Sequence, residues 1–129
     1  MRRDMELVRL VLLKVESFEI PLGGFVVVRP REQALAIEGY NEEQVSQHLA
    51  MLIDGSFVDG KLVSTGGAFR IRGLTWSGHE FIDTIRSPEI WRRTKEGLGK
   101  VGGWSVELAW QLAKGYGKQL AKEKLGIDL

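Results

Sequence analysis

Apolar residues recur at helical spacing near the start of the chain. Met5, Val8, Leu12 and Val15 form one stripe, and Leu7, Val11 and Phe18 form its neighbour. Leu10 and Leu13 widen the surface until only Glu6, Arg9 and Glu16 mark a polar strip. This predicts a helix over 3–18 that is apolar on most sides, as an element with neighbours on two faces must be. Asp4 is expected as an acid in its first turn, where the helix dipole favours it. Pro21, Gly23 and Gly24 break the chain. Phe25, Val26, Val27 and Val28 have strand composition, and Pro30 ends that strand or holds it at a sheet edge. Residues 33–37 are expected as a second short strand.

The sharpest helical pattern covers 41–54. Asn41 suits the N-cap, Glu42 and Glu43 suit the first turn, and Val45, Leu49, Leu52 and Ile53 share one face. Gly55 is expected to close this helix in a left-handed conformation. A strand over 57–63 follows, with the Asp59-Gly60 dipeptide as a turn inside or after it. Gly66-Gly67 makes a second turn. Residues 68–74 alternate, with Phe69 and Ile71 on one side and Arg70 and Arg72 on the other. Three helices complete the pattern. The first is capped by Thr75 and carries Trp76, Phe81, Ile82 and Ile85. The second opens at Ser87-Pro88-Glu89 and fails at Gly99, Gly102 and Gly103. The third opens at Ser105 and runs to 125.

Helix, helix and hairpin in that order predict an α+β fold: a winged helix-turn-helix-like core over 1–75 with additional C-terminal helices over 76–129. The extension is expected to pack on the core as a single compact unit, with the first helix between the two parts. The short helix that usually precedes a recognition helix is not visible; 19–40 hold Pro21, Gly23, Gly24, Pro30 and a β-rich run instead.

Composition narrows the chemistry. The chain has 129 residues, no cysteine and two histidines, which excludes disulfides, thiolate metal sites, cysteine nucleophiles and a histidine-rich metal site. Hydrophobic residues at 43% and charged residues at 27% are ordinary for a globular domain. No apolar run approaches the roughly 20 residues that span a bilayer, and Asp4, Glu6 and Arg9 interrupt any signal-peptide core. A cytoplasmic protein without membrane partners is the expectation. The net charge of +1 hides an asymmetry: residues 1–60 sum to −4 and residues 61–129 to +5. A polyanion would meet the second half, although a solvated mixed-charge surface fits the same numbers.

Several stretches carry a family likeness. They are Met1-Arg2-Arg3-Asp4-Met5-Glu6-Leu7, then Glu38-Gly39-Tyr40-Asn41-Glu42-Glu43-Gln44-Val45 with His48-Leu49-Ala50-Met51-Leu52 after it. Arg72-Gly73-Leu74-Thr75-Trp76-Ser77-Gly78-His79-Glu80-Phe81-Ile82-Asp83 follows, then Trp91 and Thr94-Lys95. In these residues the chain resembles a small family of bacteria and their phages, catalogued only as a domain of unknown function. The resemblance implies a winged-helix-like fold and a mobile-element context. It implies no activity.

The candidate nucleic-acid contacts lie in three places. On the helix over 41–54, Asn41, Gln44, Ser46 and Gln47 have side chains that read base edges. Glu42, Glu43 and Asp54 oppose a phosphate lattice there, and a core helix with a polar back fits the same pattern. On the hairpin, Lys61, Arg70 and Arg72 suit backbone phosphates, as they also suit any solvated surface. On the last helix, Lys114, Lys118 and Lys122 recur every fourth residue. Beside them Ala109, Ala113, Gly117 and Ala121 form a row of small residues that fits either a partner chain or the protein's own first helix. A homodimer through Ala113, Gly117 and Ala121 is expected on the first alternative. Among the tryptophans, Trp76 and Trp91 are expected to anchor the C-terminal helices, and Trp104 is the candidate for an interface.

Catalysis finds little support. His79-Glu80 with Asp83 lacks the second histidine of a zinc-protease helix, and His79 and Asp83 are expected to share a hydrogen bond. His48 is expected to be a satisfied, half-buried histidine. The glycines at 97, 99, 102 and 103 lack the ending of a phosphate loop. No cofactor and no enzyme activity are expected. The reading that results is a small DNA-associated regulator or accessory protein that contacts double-stranded DNA. The alternative is a protein–protein interaction module that has the fold without DNA binding.

Overall fold

The computed structural model describes residues 1–63, 66–102 and 105–126. It is a mixed α+β structure with five α-helices and one three-stranded antiparallel sheet among the described residues. The chain forms two compact units, Met1–His79 and Glu80–Leu129, whose boundary falls inside the third helix.

The first unit opens with α1, Met5–Glu16. Asp4 is its N-cap rather than a first-turn residue: Oδ1 accepts from the N–H groups of Glu6 at 2.9 Å and Leu7 at 3.2 Å. A carboxylate at that position answers two of the donors a helix start leaves open. Met5, Leu7, Val8, Val11, Leu12 and Val15 are buried, and α1 packs on both α2 and β3.

β1 is Val26–Val28, an edge strand, with Pro30 just beyond its end. Residues 33–37 are not a strand. Gln33–Leu35 closes a 3-10 turn, with N–H of Leu35 on the Glu32 carbonyl at 3.0 Å and N–H of Ala36 on the Gln33 carbonyl at 3.1 Å. Leu35 is buried while Ala34 and Ala36 are exposed, so the segment needs to bury one side chain and not an alternating row.

α2, Glu42–Asp54, has the expected cap. The Asn41 carbonyl oxygen accepts from N–H of Gln44 at 2.8 Å, and the Gln44 side-chain oxygen accepts from N–H of Asn41 at 2.9 Å. This reciprocal pair is a capping box. The other end departs from expectation. Gly55 keeps φ −81°, and Ser56 takes the left-handed conformation at φ 65°. N–H of Phe57 reaches back to the Leu52 carbonyl at 2.9 Å and N–H of Ser56 to Ile53 at 3.0 Å. The helix still ends at Asp54 with Gly55 as its C-cap, but the left-handed residue is one position later, so the Schellman closure falls on Ser56.

β2, Val58–Leu62, and β3, Phe69–Leu74, complete the sheet in the order β1-β3-β2. Phe69 and Ile71 are buried on the face toward α1, and Val27, Arg70 and Lys61 form a row across all three strands. Asp59-Gly60 is no hairpin turn. The register shifts between these residues, and the strands reverse around Gly66 and Gly67, both with positive φ. A Cβ on Gly60 would stand 2.7 Å from the Arg70 carbonyl oxygen and 2.9 Å from Ile71 Cδ1, so the glycine serves a bulge where β3 comes close.

α3 is Trp76–Ile85. Thr75 Oγ1 accepts from N–H of Gly78 at 3.0 Å and donates to the Ser56 carbonyl at 2.6 Å. Gly78 lies on the Phe57 carbonyl, where any Cβ would collide with the oxygen. Trp76 anchors nothing: it is 81% exposed. Nine residues separate it from buried Ile85, which at about 100° per residue places it on the opposite side of the helix.

In the second unit, α4 is Pro88–Val101 and α5 is Val106–Leu125. α4 does not fail at Gly99; it continues to Val101 and ends with Gly102 in the left-handed region. Ile90, near the start of α4, faces Gly117 in the second half of α5, and Gly97 faces Leu112 and Tyr116. The two helices therefore run antiparallel as a hairpin. Trp91, Thr94 and Leu98 of α4 and Ala109 and Ala113 of α5 are buried, and the rings of Phe81 and Trp110 meet at 6.1 Å.

Candidate nucleic-acid interface

One side-chain atom of each glutamine expected to read bases is held within the helix. The Gln44 side-chain oxygen belongs to the capping box, and Gln47 Nε2 approaches Glu43 Oε1 at 3.4 Å. Asn41 is the cap itself, and the Ser46 hydroxyl oxygen is buried. The start of α2 exposes Glu42 and Glu43 beside Asn41 and Gln44, and no lysine or arginine occurs in 41–54. This end of the helix is an acidic wall.

The sheet carries the opposite charge. Lys61 stands directly across from Arg70 in the register of β2 and β3. The Arg70 guanidinium carbon lies over the Phe25 ring, 5.0 Å from its centroid, a cation–π contact. Arg72 is the residue that the bulge leaves out of the ladder, since Gly60 pairs with Ile71 and Asp59 with Gly73. Its Nε lies 3.9 Å from Asp59 Oδ2, so its charge is partly answered within the chain.

Two further cations join this region. Arg29, Arg31, Pro30 and Glu32 line one depression with Gly66 of the hairpin turn and Glu42 of α2. Arg29 pairs with Glu32 at 3.4 Å across solvent, a contact of small energetic weight. Sequence reasoning missed Arg29, Arg31 and Phe25. Their one signal was a strand flanked by an aromatic and by arginines on either side of a proline, and only the register of β1 on β3 connects them to the hairpin.

On α5, Lys114 and Lys118 are exposed, and Lys114 Nζ stands 4.3 Å from the Trp110 ring. The row of small residues beside them is used within the chain at two positions: Ala113 is fully buried and Gly117 faces Ile90. That leaves Ala113 no surface to offer a second copy. Ala121 is half-buried, and Trp104 lies outside the described residues. Asp83 Oδ1 accepts from Arg86 Nη2 at 2.8 Å, where His79 was the expected partner.

His48 is more buried than expected, at 1% exposure, and it is satisfied. Nε2 accepts from N–H of Asp4 at 2.9 Å, so the ring proton sits on Nδ1, which donates to the Gln44 carbonyl at 2.8 Å. Tyr40 donates to Asp4 Oδ2 at 3.1 Å. Partial burial, the hydrogen bond to Asp4 and the negative charges of Asp4 and Glu6 raise its phenol above the ordinary value. This cluster fastens the start of α1 to α2 and is structural. Among the described residues no three His, Asp or Glu side chains converge as a metal site, and no helix is long and apolar enough to cross a membrane.

Fold and surface together define a small α+β protein with a cationic sheet face beside an acidic helix start. The family described as hypothetical protein DUF2513 matches residues 2–105, and the chain belongs to it. A Haemophilus influenzae protein described as uncharacterized is 30% identical over 97 residues, which cover 74% of this chain and 76% of that one. No solved structure matches.

Proposed function

We propose that the first unit is a winged helix and that the protein is a DNA-associated regulator or accessory protein. It would hold the duplex backbone with its sheet rather than read bases with α2. The order α1, β1, short turn, α2, β2, β3, with β3 central, supports the fold reading; the 3-10 turn at Gln33–Leu35 stands where the short middle helix of such folds is expected. One observation carries the functional reading. Lys61 and Arg70 are like charges directly opposite each other on neighbouring strands, an arrangement that costs stability when nothing neutralises it. Phosphates are the anions a duplex supplies, and a guanidinium over the Phe25 ring can offer its N–H groups to them.

The test is fluorescence anisotropy with a generic 30-base-pair duplex at about 50 and about 200 mM salt. Wild-type protein binds with a steep salt dependence, and Lys61→Gln with Arg70→Gln lowers the slope of log K on log salt by about 1.8. A second reading, a protein-binding module with the same fold, is favoured by Glu42 and Glu43 at the exposed start of α2. Absence of duplex binding at the lower salt decides for it.

A further inference from the structure

The arginines of α4 are paired within their helix, whereas Lys95 of α4 and Lys114 of α5 each have no acid three or four residues away and lie over a tryptophan ring. In α4 each arginine has a carboxylate one turn away: Arg92 bonds to Glu96 and Arg93 to Glu89, both at 3.0 Å. In α5 neither Lys114 nor Lys118 has an acid three or four residues away in either direction, and residues 108–122 hold three lysines and no acid. Lysines in the last turn are accounted for by the helix dipole, but that effect fades within one turn and does not reach Lys114 or Lys118. Like charges four residues apart destabilise a helix, a cost that the Trp110 ring 4.3 Å from Lys114 Nζ offsets in part.

A second anomaly lies inside the same row. Gly115 is exposed in the middle of a 20-residue helix, and a Cβ built on it would meet nothing within 4 Å. Gly97 and Gly117 face side chains across the hairpin, whereas among the described residues nothing lies within 4 Å of a Cβ on Gly115. A helix-interior glycine costs about 1 kcal/mol against alanine. Its effect is to thin the helix between Lys114 and Lys118, so that a partner can approach the backbone closely there.

We propose that this face of α5, Lys114 and Lys118 around Gly115, is a second contact for the phosphate backbone of duplex DNA. The apolar side of α5 is spent on α4, with Ala109 and Ala113 buried, and among the described residues Leu125 at its end is the large apolar side chain it exposes, too little to enter a lipid surface. One turn of helix separates the two ammonium groups by about 6 Å along the axis. A strand of the duplex carries a phosphate about every 3.4 Å of helix axis, so two lysines one turn apart can each meet a phosphate of the same strand. The proposal extends the DNA reading above but stands on different residues.

The experiment repeats the anisotropy titration with the full chain, comparing wild type, Lys114→Gln/Lys118→Gln and Lys61→Gln/Arg70→Gln. The α5 variant is expected to lose about 1.8 from the salt slope, with a melting temperature at or above that of the wild type. A wild-type slope and affinity in the α5 variant, with a loss in the sheet variant, overturns the α5 contact and leaves the sheet reading intact. The reverse pattern overturns the sheet reading and keeps α5. Absence of wild-type binding at about 50 mM salt overturns both.

Discussion

At the scale of single residues, the cluster of Asp4, Tyr40 and His48 ties together parts of the chain up to 44 positions apart. His48→Leu keeps the volume and removes the acceptor for N–H of Asp4. A buried donor without a partner costs about 1–3 kcal/mol, and urea denaturation should show that loss. Tyr40 gives a pH signature. Its folded phenol titrates above the unfolded value of 10.0, so its contribution is complete below that value and is lost as pH rises through the folded one. The stability gap between wild type and Tyr40→Phe should therefore shrink on going from pH 8 to strongly alkaline urea titrations; a constant gap refutes the linkage. Chemistry that acts over three or four residues was legible here. The Asn41, Ser87 and Ser105 caps accept from Gln44, Ile90 and Leu108, all three positions on. The bond from Asp4 to His48 was not legible, because nothing local distinguishes a histidine that accepts a distant N–H from one that faces water.

At the scale of elements, all five helices lie where 3.6-residue periodicity puts them, because long amphipathic segments offer no competing pattern. Two of the misreadings share a cause. Residues 33–37 form a short apolar run, whose period cannot choose between a strand and a tight turn. Asp59-Gly60 suits a hairpin turn and a bulge alike, and only the approach of the Arg70 carbonyl to Gly60 decides between them. Glycine in helices provides a sharper test, since one substitution should act with opposite signs at two sites. Gly115→Ala adds a methyl in open space and recovers about 1 kcal/mol of helix propensity, raising the melting temperature by a few degrees. Gly78→Ala drives a methyl into the Phe57 carbonyl, a backbone atom pinned by N–H of Thr75 at 3.1 Å, and should cost about 2 kcal/mol or more. Calorimetry that found both variants stabilised would contradict the close seat of α3 on the start of β2.

At the scale of the whole molecule, the charge asymmetry between the two halves was visible in composition, but the convergence of particular charges was not. Arg29 and Arg31 belong to the acidic half by sequence and reach the hairpin turn only through the fold. The same fold puts Glu42 in that depression, so the cationic sheet face has an acidic border. If duplex DNA follows the sheet, Glu42 and Glu43 repel its phosphates and limit affinity. Glu42→Gln with Glu43→Gln removes that repulsion and should tighten duplex binding at about 50 mM salt by roughly tenfold. The same change gives up acids that favour a helix start, so stability should fall by about 0.3–1 kcal/mol for each. Affinity and stability should thus move in opposite directions. The mild loss of stability with no change in affinity would place the start of α2 away from the nucleic acid and leave those two carboxylates to a protein partner.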